Sequence, residues 1–250
     1  MKFNELAWAS VCFYYRTAGD KRYCNAMKDR DFISRLCSAP QTVSVKEFKE
    51  KVIDGFIKVE NCDLLVSHRL AEKILKTIFD LQLEIFTLAD TSLFECNLND
   101  KRLVDVIIMT YAELRVYGLW ITGASKIAHL LNDRLFPLLS PTLARYFNIS
   151  DDKTSIKNWL FRIQSDAREV TEDYRIEQAT GNPEQFLSNQ MAYSGEGCEK
   201  SLLKFIDEYY WLRYADCLPV PPRWTPDMMK PSTISAYQAR GQRQAQSPGG

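Results

Sequence analysis

Lys126, His129 and Asp133 are spaced i, i+3 and i+7, which puts an ammonium, an imidazole and a carboxylate on one face of a helix. Just before them, Thr122, Gly123, Ala124 and Ser125 combine two hydroxyls with two residues of little or no side chain. Such a stretch suits a turn that opens a helix. Thr122 or Ser125 caps it, and Gly123 and Ala124 let a ligand or a second backbone approach the unpaired amides. The positive end of the helix dipole and the Lys126 charge reinforce those amides. Thr122, Gly123, Ala124, Ser125, Lys126 and His129 therefore read as a phosphate-binding group, with Ile127, Leu130 and Leu131 as the apolar stripe of the same helix. An ordinary helix–helix turn with a solvated polar face accounts for the same spacing.

The run Gly123-Ala124-Ser125-Lys126-Ile127-Ala128-His129-Leu130-Leu131, followed by Leu135-Phe136-Pro137-Leu138-Leu139-Ser140-Pro141-Thr142-Leu143, resembles the helix–hairpin–helix segment of the helical DNA base-excision glycosylases. In that family a glycine turn leads into a lysine-bearing helix, and a Pro-apolar-apolar-Asp stretch follows. The resemblance covers residues 118–147. It implies an all-α, two-lobed fold that grips the DNA backbone at the hairpin and flips a base into the cleft. Two positions depart from the pattern. Ile121 stands where the hairpin would have its first glycine, and Ser140 stands where the family has its catalytic aspartate. A hydroxyl cannot supply the negative charge that supports base departure or activates a nucleophile. The resemblance thus implies a protein that holds nucleic-acid backbone without glycosylase chemistry. Two alternatives stay open: an active glycosylase/lyase with Lys126 as Schiff-base amine and a carboxylate recruited from elsewhere, such as Asp133, or a non-catalytic protein whose partner is another protein, engaged through the Pro-rich segment 219–231.

Other groups have simpler explanations. His68, with Glu72 one turn on, has the look of an oriented general base, but no nucleophile can be assigned to it, and a boundary histidine beside a surface glutamate fits equally. Asp151 and Asp152 precede a helix and stabilise its N-terminus through the dipole. Tyr209-Tyr210-Trp211-Leu212-Arg213 combines aromatics and a cation as base-stacking surfaces do. Leu202, Phe205, Ile206 and Tyr209, however, make a core stripe that leaves Tyr210 or Arg213 as the exposed remainder.

The whole chain of 250 residues carries 32 basic and 32 acidic side chains, so any nucleic-acid contact must come from local clustering rather than a basic excess. Seven cysteines, none in a Cys-x-x-Cys pair, and two histidines indicate neither a disulfide framework nor a metal site. Reduced thiols and a cytoplasmic location follow. Met1 to Glu5 place an acid where a signal peptide would have its apolar run. No segment is apolar enough for a membrane helix, since 103–117 is broken by Asp105, Glu113 and Arg115. No cofactor is indicated, and the sequence carries no signal for an oligomeric state.

The elements that must position these groups are helical throughout. A mostly buried helix is expected over 4–17, an irregular stretch over 18–41, and a helix over 45–59 behind a Ser44/Glu47 capping box. Amphipathic spacing predicts a helix over 63–80. Asn99 and Asp100 cap a helix over 101–117 that is apolar nearly all round and so central. Further helices are expected over 154–178, ended by Gly181-Asn182-Pro183, from Pro183, and over 198–215, where Lys204 and Glu208 form an i, i+4 pair contributing ~0.2–0.5 kcal/mol. Strand-like alternation is scarce, and the fold class is all-α, with one domain over 1–217. Beyond it, 218–250 is Pro-rich, then rich in Gln, Arg, Ser and Gly, a composition that cannot bury enough apolar area to offset its ordering entropy.

Overall fold

The computed structural model describes residues 1–16, 19–57, 64–115, 119, 121–150, 152–178 and 200–217. The expectations for Asp151, the break at 181–183, the helix from Pro183 and the tail 218–250 lie outside these residues. Within them the fold is all-α: α1 (Phe3–Arg16), α2 (Gly19–Lys28), α3 (Arg30–Ser38), α4 (Val45–Phe48), α5 (Leu64–Asp80), α6 (Gln82–Thr87), α7 (Lys101–Glu113), α8 (Ile121–Leu131), α9 (Pro141–Tyr146), α10 (Lys153–Gln178) and α11 (Leu202–Tyr210). Two of them run on into wide π-type turns, α4 into Lys49–Ile57 and α11 into Trp211–Ala215. No described helix is long and apolar enough to cross a membrane.

Local chemistry sets many of the helix starts. The Ser44 hydroxyl accepts from the Glu47 amide at 3.1 Å, but the Glu47 carboxylate turns instead to Arg35 and Lys51. Those hydrogen bonds hold it down to about 2, so the capping box is only half closed. Asp100 caps α7 by accepting from the Arg102 and Leu103 amides. Asp152 accepts from the Ser155 amide at the start of α10, as an N-terminal acid should. Ser140 caps α9 by accepting from Leu143. Asn148, left-handed at φ 50°, closes the far end of α9 as a bond runs from the Ile149 amide back to the Ala144 carbonyl.

The packing corrects several expectations. Residues 18–41 hold two helices rather than an irregular stretch, with Tyr23, Cys24, Met27, Phe32 and Leu36 turned into the core. The helix α7 is two-sided: Val104, Ile107, Ile108 and Tyr111 are buried, whereas Lys101, Arg102, Asp105 and Glu113 face solvent. The central helix is α8, buried from Ile121 to Leu131 except at Thr122 and Lys126. A continuous apolar cluster joins Phe3 to Leu212 around it. In that cluster α1 packs on α11, and α10 packs against both. Cys12, Cys37, Cys96 and Cys217 stand outside any disulfide, but Cys24 is disulfide-bonded, which corrects the expectation of reduced thiols at that position.

Candidate functional site

The expected ligand-binding turn at 122–126 is the first turn and a half of α8. Gly123, Ala124 and Ser125 are buried. A Cβ added at Gly123 would lie 2.6 Å from Leu119 side-chain carbons, so the missing side chain admits a neighbouring leucine rather than a phosphate. Ser125 donates to the Thr122 carbonyl and accepts from the Leu139 amide at 3.0 Å. Its hydroxyl pins the extended stretch after α8. These corrections share one cause: in a buried helix, small residues mark close packing as readily as they mark a turn.

His129 is likewise interior, at 0% exposure. Its Nδ1 bonds the Phe136 carbonyl at 2.7 Å and its Nε2 lies 3.3 Å from the Tyr23 hydroxyl. Burial pushes its pKa down, with backbone and nearby acids opposing. A neutral imidazole latched on both sides is not a phosphate ligand. Asp133 lies beyond the end of α8, where its carbonyl accepts from the Ser201 hydroxyl. His68 is exposed on α5, as is Glu72, and neither borders a described cavity.

Lys126 faces differently from its neighbours. It borders a cavity of about 350 Å³ together with Phe13, Arg22, Tyr23, Phe56, Leu138, Leu139, Ser140, Lys204, Asp207 and Trp211. Six parts of the fold meet there: α1, α2, the wide turn after α4, α8, the 138–140 stretch, and α11 with its own wide turn. Both wide π-type turns thus contribute an aromatic wall, Phe56 and Trp211, and π-bulges recur at functional sites. Phe13 and Trp211 meet edge-to-face with centroids 5.3 Å apart. Lys204 Nζ lies 4.3 Å from the Phe13 ring centroid and 5.2 Å from that of Tyr23.

The lining carries three cations, Arg22, Lys126 and Lys204, against one carboxylate, Asp207. Lys204 is compensated, with Nζ 3.0 Å from Asp207 and 3.3 Å from Glu208. Among the described residues Lys126 has only a long contact to the Ile57 carbonyl, at 3.5 Å, and no ion pair. Burial pushes its pKa down; Asp207 opposes that, while Arg22 and Lys204 add to it. The cavity therefore sets aromatic side chains beside an amine and an excess of cations, a lining that suits an anion with an apolar or aromatic part.

The chain's sequence pointed to Lys126 and Ser140, and to Trp211 within an aromatic run set aside as core, but missed most of the other walls. Arg22 and Tyr23 fell in the stretch read as irregular, and Lys204 in an i, i+4 pair read as a weak local contact. A larger cavity, about 530 Å³, lies along Phe147–Ser150 and the first turns of α10. Its ionic groups are engaged, Asp152 in capping α10 and Arg162 over the Phe147 ring at 4.4 Å, so it offers less chemistry. No protein-family model, curated protein or solved structure matches this chain.

Proposed function

We propose that this protein binds nucleic acid and lodges one unstacked nucleotide in the Lys126 cavity, as its resemblance to the helix–hairpin–helix glycosylases implies. One observation carries the reading. Lys126 and Ser140, the positions that correspond to the family's lysine and aspartate, border the same cavity. Its aromatic walls suit a base plane, and its cationic balance suits the phosphate that travels with it. The site differs from the one expected along the chain: the binding group is the cavity around Lys126, not the amides of 122–125.

The test is fluorescence anisotropy with two labelled duplexes, one intact and one carrying a single tetrahydrofuran abasic analogue. Binding should favour the abasic duplex and weaken with salt, log affinity falling by ~0.9 per neutralised phosphate against log salt. Lys126→Glu should reduce affinity about tenfold or more, about 1.4 kcal/mol. Equal binding by wild type and variant would overturn the reading. It would favour a protein partner instead, for which Phe79, Leu83 and Phe86, 49%, 80% and 67% exposed, offer an apolar surface.

A further inference from the structure

We infer that Lys126 is a site of reversible modification by carbon dioxide: its amine, left without an ion pair among the cations that border its cavity, forms a carbamate. The inference goes beyond the nucleic-acid reading and does not need it, because it rests on the lining of the cavity. Arg22, Lys126 and Lys204 border that space, and Asp207 is the one carboxylate among its described lining residues. An added anion would relieve this excess of positive charge.

The three cationic side chains differ in what they can do. Lys204 is fixed as an ammonium, with Asp207 at 3.0 Å and Glu208 at 3.3 Å. Arg22 keeps its proton in any protein, and it has no ion pair among the described residues. Lys126 has only the Ile57 carbonyl, at 3.5 Å. Burial, opposed by Asp207 and helped by Arg22 and Lys204, pushes its pKa down, which enriches the neutral amine that attacks an electrophile. A carbamate then needs partners for its two oxygens, and the same cavity holds them. Arg22 presents a planar fork of N–H donors that matches a carboxylate-like group. Ser140 Oγ accepts from the Leu143 amide in capping α9, which leaves its own O–H to donate.

The step needs no oxidant or reductant, and carbon dioxide is its co-reactant. The Lys126 Nζ lone pair attacks the carbon, a C–N bond forms, and one C=O π pair moves onto oxygen. A proton then leaves the nitrogen for solvent. Amine and carbon dioxide become carbamate and a proton, and protonation of the nitrogen reverses the step by breaking the new bond. The lining changes from three cations and one carboxylate to two cations and two anions. Its aromatic walls, Phe13, Phe56 and Trp211, favour neutral carbon dioxide over its hydrated form, the bicarbonate anion.

The experiment is trapping with triethyloxonium, which ethylates a carbamate and fixes it for peptide mass spectrometry. The full chain is equilibrated in bicarbonate buffer or in buffer free of carbon dioxide, at matched ionic strength, and then alkylated. Lys126 should carry the ethyl carbamate at a fraction about tenfold or more above that at the exposed Lys46, the change in neutral amine that about one pKa unit brings. The label should vanish without carbon dioxide. Arg22→Gln should lower the fraction at Lys126 severalfold and Arg22→Lys should restore part of it, with trapping at Lys46 constant throughout. Equal fractions at Lys126 and Lys46 in the wild type would overturn the inference, and that comparison needs no variant to fold. A fraction at Lys126 that Arg22→Gln leaves unchanged would remove the cavity as the carbamate's holder. Carbamate and phosphate draw on the same cations, so bicarbonate buffer should also weaken binding of the tetrahydrofuran duplex, an arm that rests on the nucleic-acid reading. Trapping at Lys126 without any duplex binding would sink that reading and leave the modification standing.

Discussion

Spacing alone assigned His129 to the same face as Lys126, and that part of the pattern is geometrically right. What spacing does not encode is whether a polar side chain on a helix faces water or a buried partner. His129 faces partners, the Phe136 carbonyl and the Tyr23 hydroxyl, whereas Lys126, one turn earlier, borders the cavity. The distinction has a pH consequence. Burial lowers the His129 pKa in the fold, while the unfolded chain takes up its proton near ~6.5. The unfolded state therefore binds more protons in the window below ~6.5, and stability falls as pH drops from there through the folded value. The facing groups are Tyr23, Asp133, Lys204 and Asp207. His129→Leu should lose about 1–3 kcal/mol at neutral pH, since the Phe136 carbonyl is left buried without its donor. It should also flatten the fall in Tm on acidification. Thermal unfolding across mildly acidic to neutral pH would show both effects, and an unchanged slope in the variant would assign the dependence to another group.

At the scale of elements, most helices could be read from periodicity because their exposed sides are charged. That applies to α5 and α10, and to α7 once its real polar side is counted. The misreadings occur where packing rather than solvent decides. Gly123, Ala124 and Ser125 look like a break in the chain, yet they let α8 run through the middle of the molecule with Leu119 seated against it. The two helices of 19–38 were missed because their polar residues, among them Arg30, Asp31 and Arg35, obscure a buried stripe of few, large side chains. The α8 explanation makes a directional prediction. Valine at Gly123 would bring Cβ to 2.6 Å from Leu119 Cγ and Cδ1 and add two further methyls. Overpacking of this kind costs about 1–3 kcal/mol, more than the few tenths that valine gains over glycine in helix propensity. Gly123→Val should lower the urea midpoint with the slope unchanged. A midpoint at or above wild type would mean that the small residues serve something other than packing.

For the molecule as a whole, the telling group is the ion cluster between its first and last described helices. Lys204 and Glu208 read in the sequence as an i, i+4 pair of small worth, but α11 is enclosed by α1 on one side and α10 on another, and the pair is carried inside. Glu208 is 0% exposed, with Lys200 at 2.9 Å, Lys204 at 3.3 Å and the Ser10 hydroxyl of α1 as partners. Burial pushes the Glu208 carboxyl up, but the two lysines and Ser10 outweigh it and hold it below its ordinary value. This cluster also orients the cavity, because the Lys204 that it anchors is the one that fixes Asp207. Glu208 is the carboxylate that both lysines share: Glu208→Leu should lose about 3–5 kcal/mol, a large share of the ~5–15 kcal/mol that holds a typical domain folded. Adding Lys200→Met to Glu208→Leu should recover part of that loss, since the buried cation is then removed together with the carboxylate 2.9 Å from it, and Lys204 retains Asp207. Urea unfolding of the wild type, both single variants and the double variant closes the cycle. A coupling near zero would mean that Lys200 and Glu208 do not depend on each other, and that the helices enclosing them, rather than the charges, keep α1 and α11 together.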